Sequence, residues 1–529
     1  MTINKSGNTT TRKSKDPLTI YFVTPEGLPF SQTGGLGEIV PGLTTALARR
    51  GHQIKLIMPK YTGTLEVAVK DNLIPRYLGE MNVSPVRIGD HLLKPEVYQA
   101  DSFVKDLNIE TFLIDSESYD YFGNRSYKQL YSHQDDILRF YFFNVIAAEM
   151  IQAGHNTIAH THDWQAGHLH TLLKSRHCKK NIPTLHTIHN LAYHPSITRH
   201  HFWLMSGLTD KEFPGLYGYK GINFPDSDLA DASWAALAMA DNVNTVSRRY
   251  VKETQTLEYG NGFSELLQRR YEEGKYHGIV NGVDAFWYPS FNQHTFVEGK
   301  AQKKRETQEA FGLKPDPDAL LIMMAARMDG QKGFNLVLPI LEKLFTQHKI
   351  NFQFVISSDI SPNGGREIFT VLRKLATQSE IAGRIGVIAP YNKHLTKTVY
   401  AGADISLVPS KFEPCGLVAP CSIVNGTVPI GRKVGGIADI IKNGRNGFLF
   451  SCDWPRDTNS TLAAGNKLMQ KIVTVNTMFQ NKPMWNAFIE GLLREDHSWN
   501  QAAIEYEKLY RVTLEQFKNN GHYASFSRA

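Results

Sequence analysis

Cysteine is scarce in this chain: four in 529 residues, at Cys178, Cys415, Cys421 and Cys452, with no C-x-x-C pair. That excludes a disulfide-framed scaffold and a cysteine zinc site, and it fits a reducing, cytoplasmic setting. Long apolar runs are lacking as well. The longest, Phe140 to Ile151, is interrupted by Asn144 and Glu149 and is too short to span a bilayer, so no membrane partner is expected. The N-terminus, MTINKSGNTTTRKSKDP, has no apolar core, which excludes a signal peptide and reads as a disordered polar tail over residues 1–17. Blocks of one charge are missing too. Lys and Arg exceed Asp and Glu by seven (58 against 51), but they are scattered, and the strongest cluster, Lys303-Lys304-Arg305, runs into Glu306 like the exposed start of a helix. A nucleic-acid partner is not expected from that pattern.

What is present is enough to build large cores: 42% hydrophobic and 11% aromatic residues, in a chain too long for one domain. Short β-branched or aliphatic runs alternate with helical patterns, the signature of a doubly wound parallel sheet. The strand candidates of a first series are 18–23, 53–58, 110–114, 157–160, 184–188, 242–246 and 278–280. A second series follows at 320–324, 352–356, 385–388, 405–408, 427–429 and 447–450. The polar, aperiodic stretch between them reads as a connection. The expected fold class is therefore α/β, with two doubly wound Rossmann-like domains and an interdomain cleft. A first domain is expected over 18–288, a linker over 289–305, a second domain over 306–498, and an amphipathic C-terminal segment over 499–529.

Several stretches carry chemistry. In FSQTGGLGEIV, Gly34, Gly35 and Gly37 crowd between an apolar strand and a helix starting near Ile39. Gly34 and Gly35 are expected to turn with positive φ, and the helix N-terminus to offer unpaired N–H groups to an anion. A plain structural turn explains them equally well. No G-x-G-x-x-G and no Walker lysine is present, so neither a dinucleotide fold nor a P-loop is supported. In MAARMDGQKGF, Arg327 and Lys332 flank a turn and can clamp a diphosphate, or simply line a solvated loop. Glu413, after an apolar strand, can cap a helix or accept hydrogen bonds from sugar hydroxyls. A second glycine pair, Gly435-Gly436, opens another helix. Histidines gather in HTHDWQAGHLH (His160, His162, His168, His170) and LHTIHNLAYH (His186, His189, His194). An H-x-H pair can bind a metal, but loop residues lining a polar pocket are the better reading, and no metal site is expected.

Taken together, TGGLGEIV, HTHDWQAG, TIHNLAYH, NTVSRRY, GIVNGVD, RMDGQKG, ADISLVPSKFEPCGL and VGGIAD resemble, in order, the bacterial and plant glycogen/starch synthases. These are retaining glycosyltransferases of the GT-B type that extend an α-1,4-glucan from a nucleotide-glucose donor. The resemblance covers nearly the whole chain after Pro17, and it implies a C-terminal helix returning to the first domain. It implies ADP-glucose or UDP-glucose and an α-glucan as partners, and no cofactor. It assigns the donor's diphosphate and glucose to the loop of Gln32, Gly34 and Gly35. It puts His189 beside the glucose with Asn190 next to it, Arg327 and Lys332 on the diphosphate, and Glu413 on the donor sugar. It gives glucose the backbone of Cys415, Gly416 and Leu417, and it puts Asp163 near the acceptor.

The chain departs from the family in places. Gln32 stands where a lysine is usual, Glu38 where an aspartate is, and Leu417 to Cys421 replaces the usual helix start with a segment containing Pro420. Ser357-Ser358-Asp359 occupies a turn that is glycine-rich in relatives. These changes surround the donor while His189, Arg327, Lys332 and Glu413 stay in place. That pattern favours an active transferase with altered donor handling. A non-catalytic glucan- or nucleotide-binding homologue and a transferase with another acceptor are the alternatives.

Overall fold

The computed structural model describes residues 13–71, 73, 75–80, 86–88, 91–116, 122, 130–131, 135–175, 180–207, 218–219, 222–223, 228–362, 364–378 and 381–519. Cys178 and residues 1–12 of the polar tail lie outside them. The chain divides into two compact units: one runs up to Gly282 and resumes from Trp499, and the other is Val283–Ser498.

The first unit is built on a nine-stranded sheet. Its order is Tyr276–Gly278, Asn242–Thr245, Thr184–Ile188, Thr157–His162, Thr19–Val23, Gln53–Pro59, Ile109–Ser116, Pro95–Ala100, Arg76–Glu80. The first seven run parallel, and Pro95–Ala100 is antiparallel to both of its neighbours, Ile109–Ser116 and Arg76–Glu80. The parallel strands Thr157–His162 and Thr184–Ile188 are buried at every position, although they carry the polar residues Thr157, His160, Thr161, His162, Thr184, His186 and Thr187. The antiparallel pair escaped the sequence reading because Pro95–Ala100 buries its residues only in part, with a glutamate inside it.

The second unit carries six parallel strands in the order Ile385–Ile388, Phe352–Ser357, Leu320–Met324, Ile405–Val408, Val428–Arg432, Phe448–Phe450. Counted along the chain, this is 3-2-1-4-5-6. The direction of winding reverses between Leu320–Met324 and Ile405–Val408. In the first unit it reverses between Thr19–Val23 and Thr157–His162. At such a reversal the connections leave in opposite directions and a crevice opens beyond the carboxyl ends of the two strands.

Two expectations are corrected here. The stretch 289–305, expected as a linker, contains the start of a helix, Phe296–Ala310, that belongs to the second unit. Its inward face is polar, so a search for apolar periodicity passes over it. Lys300 is buried, with its Nζ bonded to the carbonyls of Ala401, Ala403 and Asn425 and to Thr427 Oγ1. Lys304, expected near an exposed helix start, is buried in mid-helix and paired with Asp404 at 2.8 Å. The second correction concerns residues 13–17. Ser14 donates its backbone N–H to the Arg50 carbonyl (2.7 Å) and its hydroxyl to Glu507 (2.8 Å), so this end of the tail is fastened to the first unit.

The helix Trp499–Asn519 also packs in the first unit, against the helix Leu36–Arg49 that follows the glycine loop. The contact is close because Gly42 has no side chain: a Cβ there would lie 2.1 Å from the Trp499 indole nitrogen. Pro41, inside the same helix, cannot donate to the Gly37 carbonyl, which instead accepts from the Leu28 N–H at 2.9 Å.

Candidate active site

The winding reversal of the first sheet places two connections side by side: residues 24–35 after Thr19–Val23, and Asp163 directly after Thr157–His162. The glycine loop does not behave as its composition suggested. Neither Gly34 nor Gly35 has a positive φ; Gly35 lies at −66°. The loop's N–H groups are not all left for a ligand either. Glu26, 2% exposed, accepts from the N–H of Thr33 (2.5 Å) and of Gly34 (3.2 Å). Burial pushes the Glu26 carboxyl up, against the pull of the Thr33, Gly34 and Gly37 N–H groups. The three glycines have different reasons. Gly37 is required because a Cβ there would lie 2.7 Å from the Gln32 stem, whereas a Cβ on Gly35 would meet no protein atom within 4 Å. Gln32 turns its amide back on the loop, donating to the Gly34 carbonyl at 3.2 Å.

Asp163 holds the other side. Its φ of 55° is costly for a residue with a side chain, and such strain gathers at functional positions. Its Oδ1 accepts the backbone N–H of His189 at 2.7 Å, so the two residues that the family resemblance singled out touch each other. Burial pushes the Asp163 carboxyl up to about 7, opposed by the N–H groups of His189 and Asn190 and reinforced by Glu26. Asn190 is exposed and uses its side-chain oxygen on the Ala192 N–H.

His189 and His194 lie in the loop after Thr184–Ile188, but the other five histidines are not loop residues around a polar pocket. His160 and His162 lie inside the strand Thr157–His162 and His186 inside the neighbouring strand Thr184–Ile188, while His168 and His170 sit at the start of the helix Leu169–Lys174; all five are buried. His160 bonds Tyr510 Oη (2.8 Å) and Thr187 Oγ1 (2.6 Å); His162 Nδ1 meets His189 Nε2 at 2.9 Å. Burial holds these rings neutral, taking His189 down to about 3 and His162 well below the ordinary histidine value. Among the described residues no group of three or more His, Cys, Asp or Glu is arranged to hold a metal ion.

In the second unit the winding reversal brings together the connections after Leu320–Met324 and Ile405–Val408, which carry Arg327, Lys332 and Glu413. Lys332 Nζ lies 2.7 Å from Glu413 Oε2, which also accepts from the Ser410 hydroxyl at 2.9 Å. The two connections are stitched by Lys411 N–H to the Gln331 carbonyl (2.7 Å) and by the Gln331 amide to the Phe412 carbonyl (3.0 Å). Arg327 is mostly exposed, with Asp329 3.7 Å away. Its loop is held from below by Ser358, whose hydroxyl donates to the Ala326 carbonyl at 2.6 Å, and by the Met328 N–H on the Asp359 carbonyl at 3.3 Å.

Glu413 is not at a helix start; the helix begins at Val418, and Pro420 falls in its first turn, where a missing N–H costs little. Gly416 turns at a φ of +75°, and the N–H groups of Gly416 and Leu417 have no protein acceptor among the described residues, while the half-buried Cys415 precedes them. The pair Gly435-Gly436 packs under this segment. Gly436 donates to the Glu413 carbonyl (2.9 Å), and a Cβ on Gly436 would lie 1.8 Å from the Cys415 carbonyl oxygen.

Residues 19–269 match the starch synthase catalytic domain family, and residues 304–463 match the glycosyl transferases group 1 family. A glycogen synthase of Moorella thermoacetica is 30% identical over 94% of this chain and 98% of its own. The chain belongs to the glycogen synthase family. Another glycogen synthase, from Syntrophotalea carbinolica, is 30% identical over 94% of this chain and 99% of its own. The catalytic domain of starch synthase IV from Arabidopsis thaliana, solved with ADP and acarbose, superposes with a TM-score of 0.80 at 25% identity, covering 94% of this chain and all of that one. The sucrose-phosphate synthase of Thermosynechococcus elongatus shares the fold at a TM-score of 0.56 and 17% identity. This glycogen synthase family member is thus an α/β hexosyltransferase of the glycogen/starch synthase type.

Reading the chain as a sequence missed Glu26, Ser410, and the roles of His162, Ser358 and Gly436. A signal existed for Glu26: an acidic residue three positions beyond the first strand, at the carboxyl end where such sheets take ligands. Ser410 stands only three residues before Glu413, whereas for His162, Ser358 and Gly436 the contact is made across the fold.

Proposed function

We propose that this protein transfers glucose from ADP-glucose or UDP-glucose to the 4-hydroxyl at the non-reducing end of an α-1,4-glucan, with retention at the anomeric carbon. The observation that carries the reading is the Lys332–Glu413 pair, 2.7 Å apart at the winding reversal of the second sheet, with Arg327 on the same connection. A cation for the leaving diphosphate and a carboxylate for the sugar then come from adjacent connections of one sheet.

In the mechanism we propose, Arg327 forks onto the diphosphate and Lys332 adds a point charge. Glu413 and the N–H groups of Gly416 and Leu417 bind glucose hydroxyls. In the first unit, Gly34 and Gly35 let the donor approach the backbone, His189 and Asn190 meet the glucose, and Asp163 lies toward the acceptor. The diphosphate departs through an oxocarbenium-like transition state, and the glucan hydroxyl attacks from the same face. Each preorganised donor on the leaving group contributes roughly 2.7–4 kcal/mol. No metal is needed in this scheme, since two fixed cations meet the developing charge.

Nucleoside diphosphate release by the purified protein, with each donor, with and without glycogen, and beside Glu413→Ala, tests the reading. Glycogen-dependent release lost in the variant supports it and names the donor. No release above the variant with either donor favours the binding homologue or another acceptor. One observation leans that way: the Gln32 amide is already engaged with Gly34.

A further inference from the structure

The carboxylate of Glu413 is held on one side only. Its Oε2 takes two donors, Lys332 Nζ at 2.7 Å and the Ser410 hydroxyl at 2.9 Å. Its Oε1 takes none among the described residues, and unlike the orphan ring nitrogens of His162 and His189 it is not sealed from solvent; the side chain is 15% exposed. An ionised carboxylate only accepts, so the open oxygen is suited to a hydrogen-bond donor such as a hydroxyl. The main chain beneath is fixed as well, since the Glu413 carbonyl accepts the Gly436 N–H at 2.9 Å.

The two donors on Oε2 are not equivalent. The terminal torsion of a glutamate is broad and two-fold, so the side chain alone does not distinguish its oxygens. Lys332 reaches Oε2 through a flexible stem, and in the mechanism above its ammonium also serves the diphosphate. Ser410 carries its oxygen on a single torsion, three residues before Glu413, and is 1% exposed. Its main chain is tied down by Arg432, whose Nη1 donates to the Ser410 carbonyl (3.3 Å) and the Lys411 carbonyl (2.7 Å) while Nε donates to the Cys452 carbonyl (3.0 Å). A serine serving only the turn would bond a neighbouring backbone group. This one gives its single proton to the carboxylate.

We infer that Ser410 is a positioning residue: with Lys332 it holds Glu413 Oε2, and so leaves Oε1 as the atom that accepts a hydroxyl of the donor sugar. When the Lys332 ammonium engages the diphosphate, Ser410 keeps that orientation. The inference rests on the reading of Glu413 on the donor sugar. It adds a specificity, for a hexose with a free hydroxyl at the one position that faces Oε1.

Calorimetric titration of wild type, Glu413→Ala, Ser410→Ala and Ser410→Cys tests it, with ADP-glucose, UDP-glucose and their analogues lacking the 2-, 3-, 4- or 6-hydroxyl of the hexose. In wild type one deletion is expected to weaken binding about tenfold or more, the scale of a hydrogen bond to a charged group, and Glu413→Ala is expected not to feel that deletion. In Ser410→Ala the intact donor is expected to bind about fivefold or more weakly, with the penalty for the same deletion reduced by a similar factor. The penalty compares two ligands on one protein, so a loss of stability alone does not move it. Ser410→Cys, whose thiol is a weaker donor, is expected to fall between wild type and Ser410→Ala. A full wild-type penalty in Ser410→Ala overturns the inference. Glu413→Ala separates the two levels. If neither intact donor binds wild type, or if Glu413→Ala feels every deletion as wild type does, the reading of Glu413 has failed; if Glu413→Ala is insensitive while Ser410→Ala matches wild type, only the role of Ser410 has.

Discussion

Lys332 and Glu413 form an ion pair of 2.7 Å with side chains 19% and 15% exposed, on two connections that leave adjacent strands of one sheet. Truncating either residue leaves the other charge poorly solvated. Lys332→Ala and Glu413→Ala are each expected to destabilise by roughly 1–3 kcal/mol and the double variant by less than their sum. Urea midpoints of the four proteins give the coupling, and strict additivity removes the pair as a unit. Donor turnover in Lys332→Ala is expected to fall by about 10²–10³ if the lysine also serves the diphosphate.

Asp163 predicts a pH dependence. Its carboxyl is raised from the usual 3.8 to about 7, so between those values the folded chain binds more protons than the unfolded one. The contribution of this group to stability therefore declines as pH rises through that window. The stability of wild type relative to Asp163→Asn should fall between about pH 4 and about pH 8. The Asn oxygen can still accept the His189 N–H, so the variant tests charge rather than contact. In activity, a bend near the same pH in wild type should be missing in the variant.

Gly35→Ala and Gly436→Ala should separate ligand approach from packing. At Gly35 a Cβ meets nothing within 4 Å and φ is −66°, so alanine is tolerated, and a loss of donor affinity without a change in melting temperature marks close approach of the substrate. At Gly436 a Cβ would sit 1.8 Å from the Cys415 carbonyl oxygen. There alanine is expected to cost about 1–3 kcal/mol of stability by overpacking and to lower turnover by shifting Glu413. A normal melting curve for Gly436→Ala contradicts that packing.

Glu507 is expected to contribute to the acid stability of the first unit. Burial alone raises its carboxyl, but hydrogen bonds from Arg50, Ser14 and Arg511 outweigh it and hold the group down to about 2 against the usual 4.5. A depressed carboxylate stabilises above its unfolded value and loses that contribution as pH falls toward its folded one. Glu507→Gln is expected to cost roughly 1–2 kcal/mol near pH 7, after screening, and progressively less between about pH 4.5 and about pH 2. A difference that does not shrink in acid excludes the ion pairs as its source.

Much of this arrangement is visible along the chain. Parallel strands buried on both faces favour largely apolar runs, so Leu320–Met324, Phe352–Ser357 and Ile405–Val408 announce themselves, and their alternation with helices implies the double winding. The residues at the strands' carboxyl ends, Gly34, Asp163, Arg327, Lys332 and Glu413, stand out for the same reason: chemistry follows an apolar run there. What does not show is polar burial. The helix Phe296–Ala310 turns Lys300 and Lys304 inward, and their apolar period is absent because backbone carbonyls and Asp404, not methyl groups, receive them. The tail's end at Ser14 is legible only from its partners Arg50 and Glu507, the latter 493 residues away.

Local pattern thus determines the α/β class, the order of the elements and the residue types at each strand end, because burial of a sheet and the chemistry of a ligand both act on short stretches. Tertiary structure alone decides who satisfies whom. The N–H groups of Thr33 and Gly34 go to Glu26, His189 is held between Asp163 and His162, and Lys332 meets Glu413. The first are made within one loop, seven and eight residues apart, and the others join segments 26 to 81 residues apart. A donor and an acceptor find each other by the geometry of the folded sheet, and that geometry is a property of all the strands together.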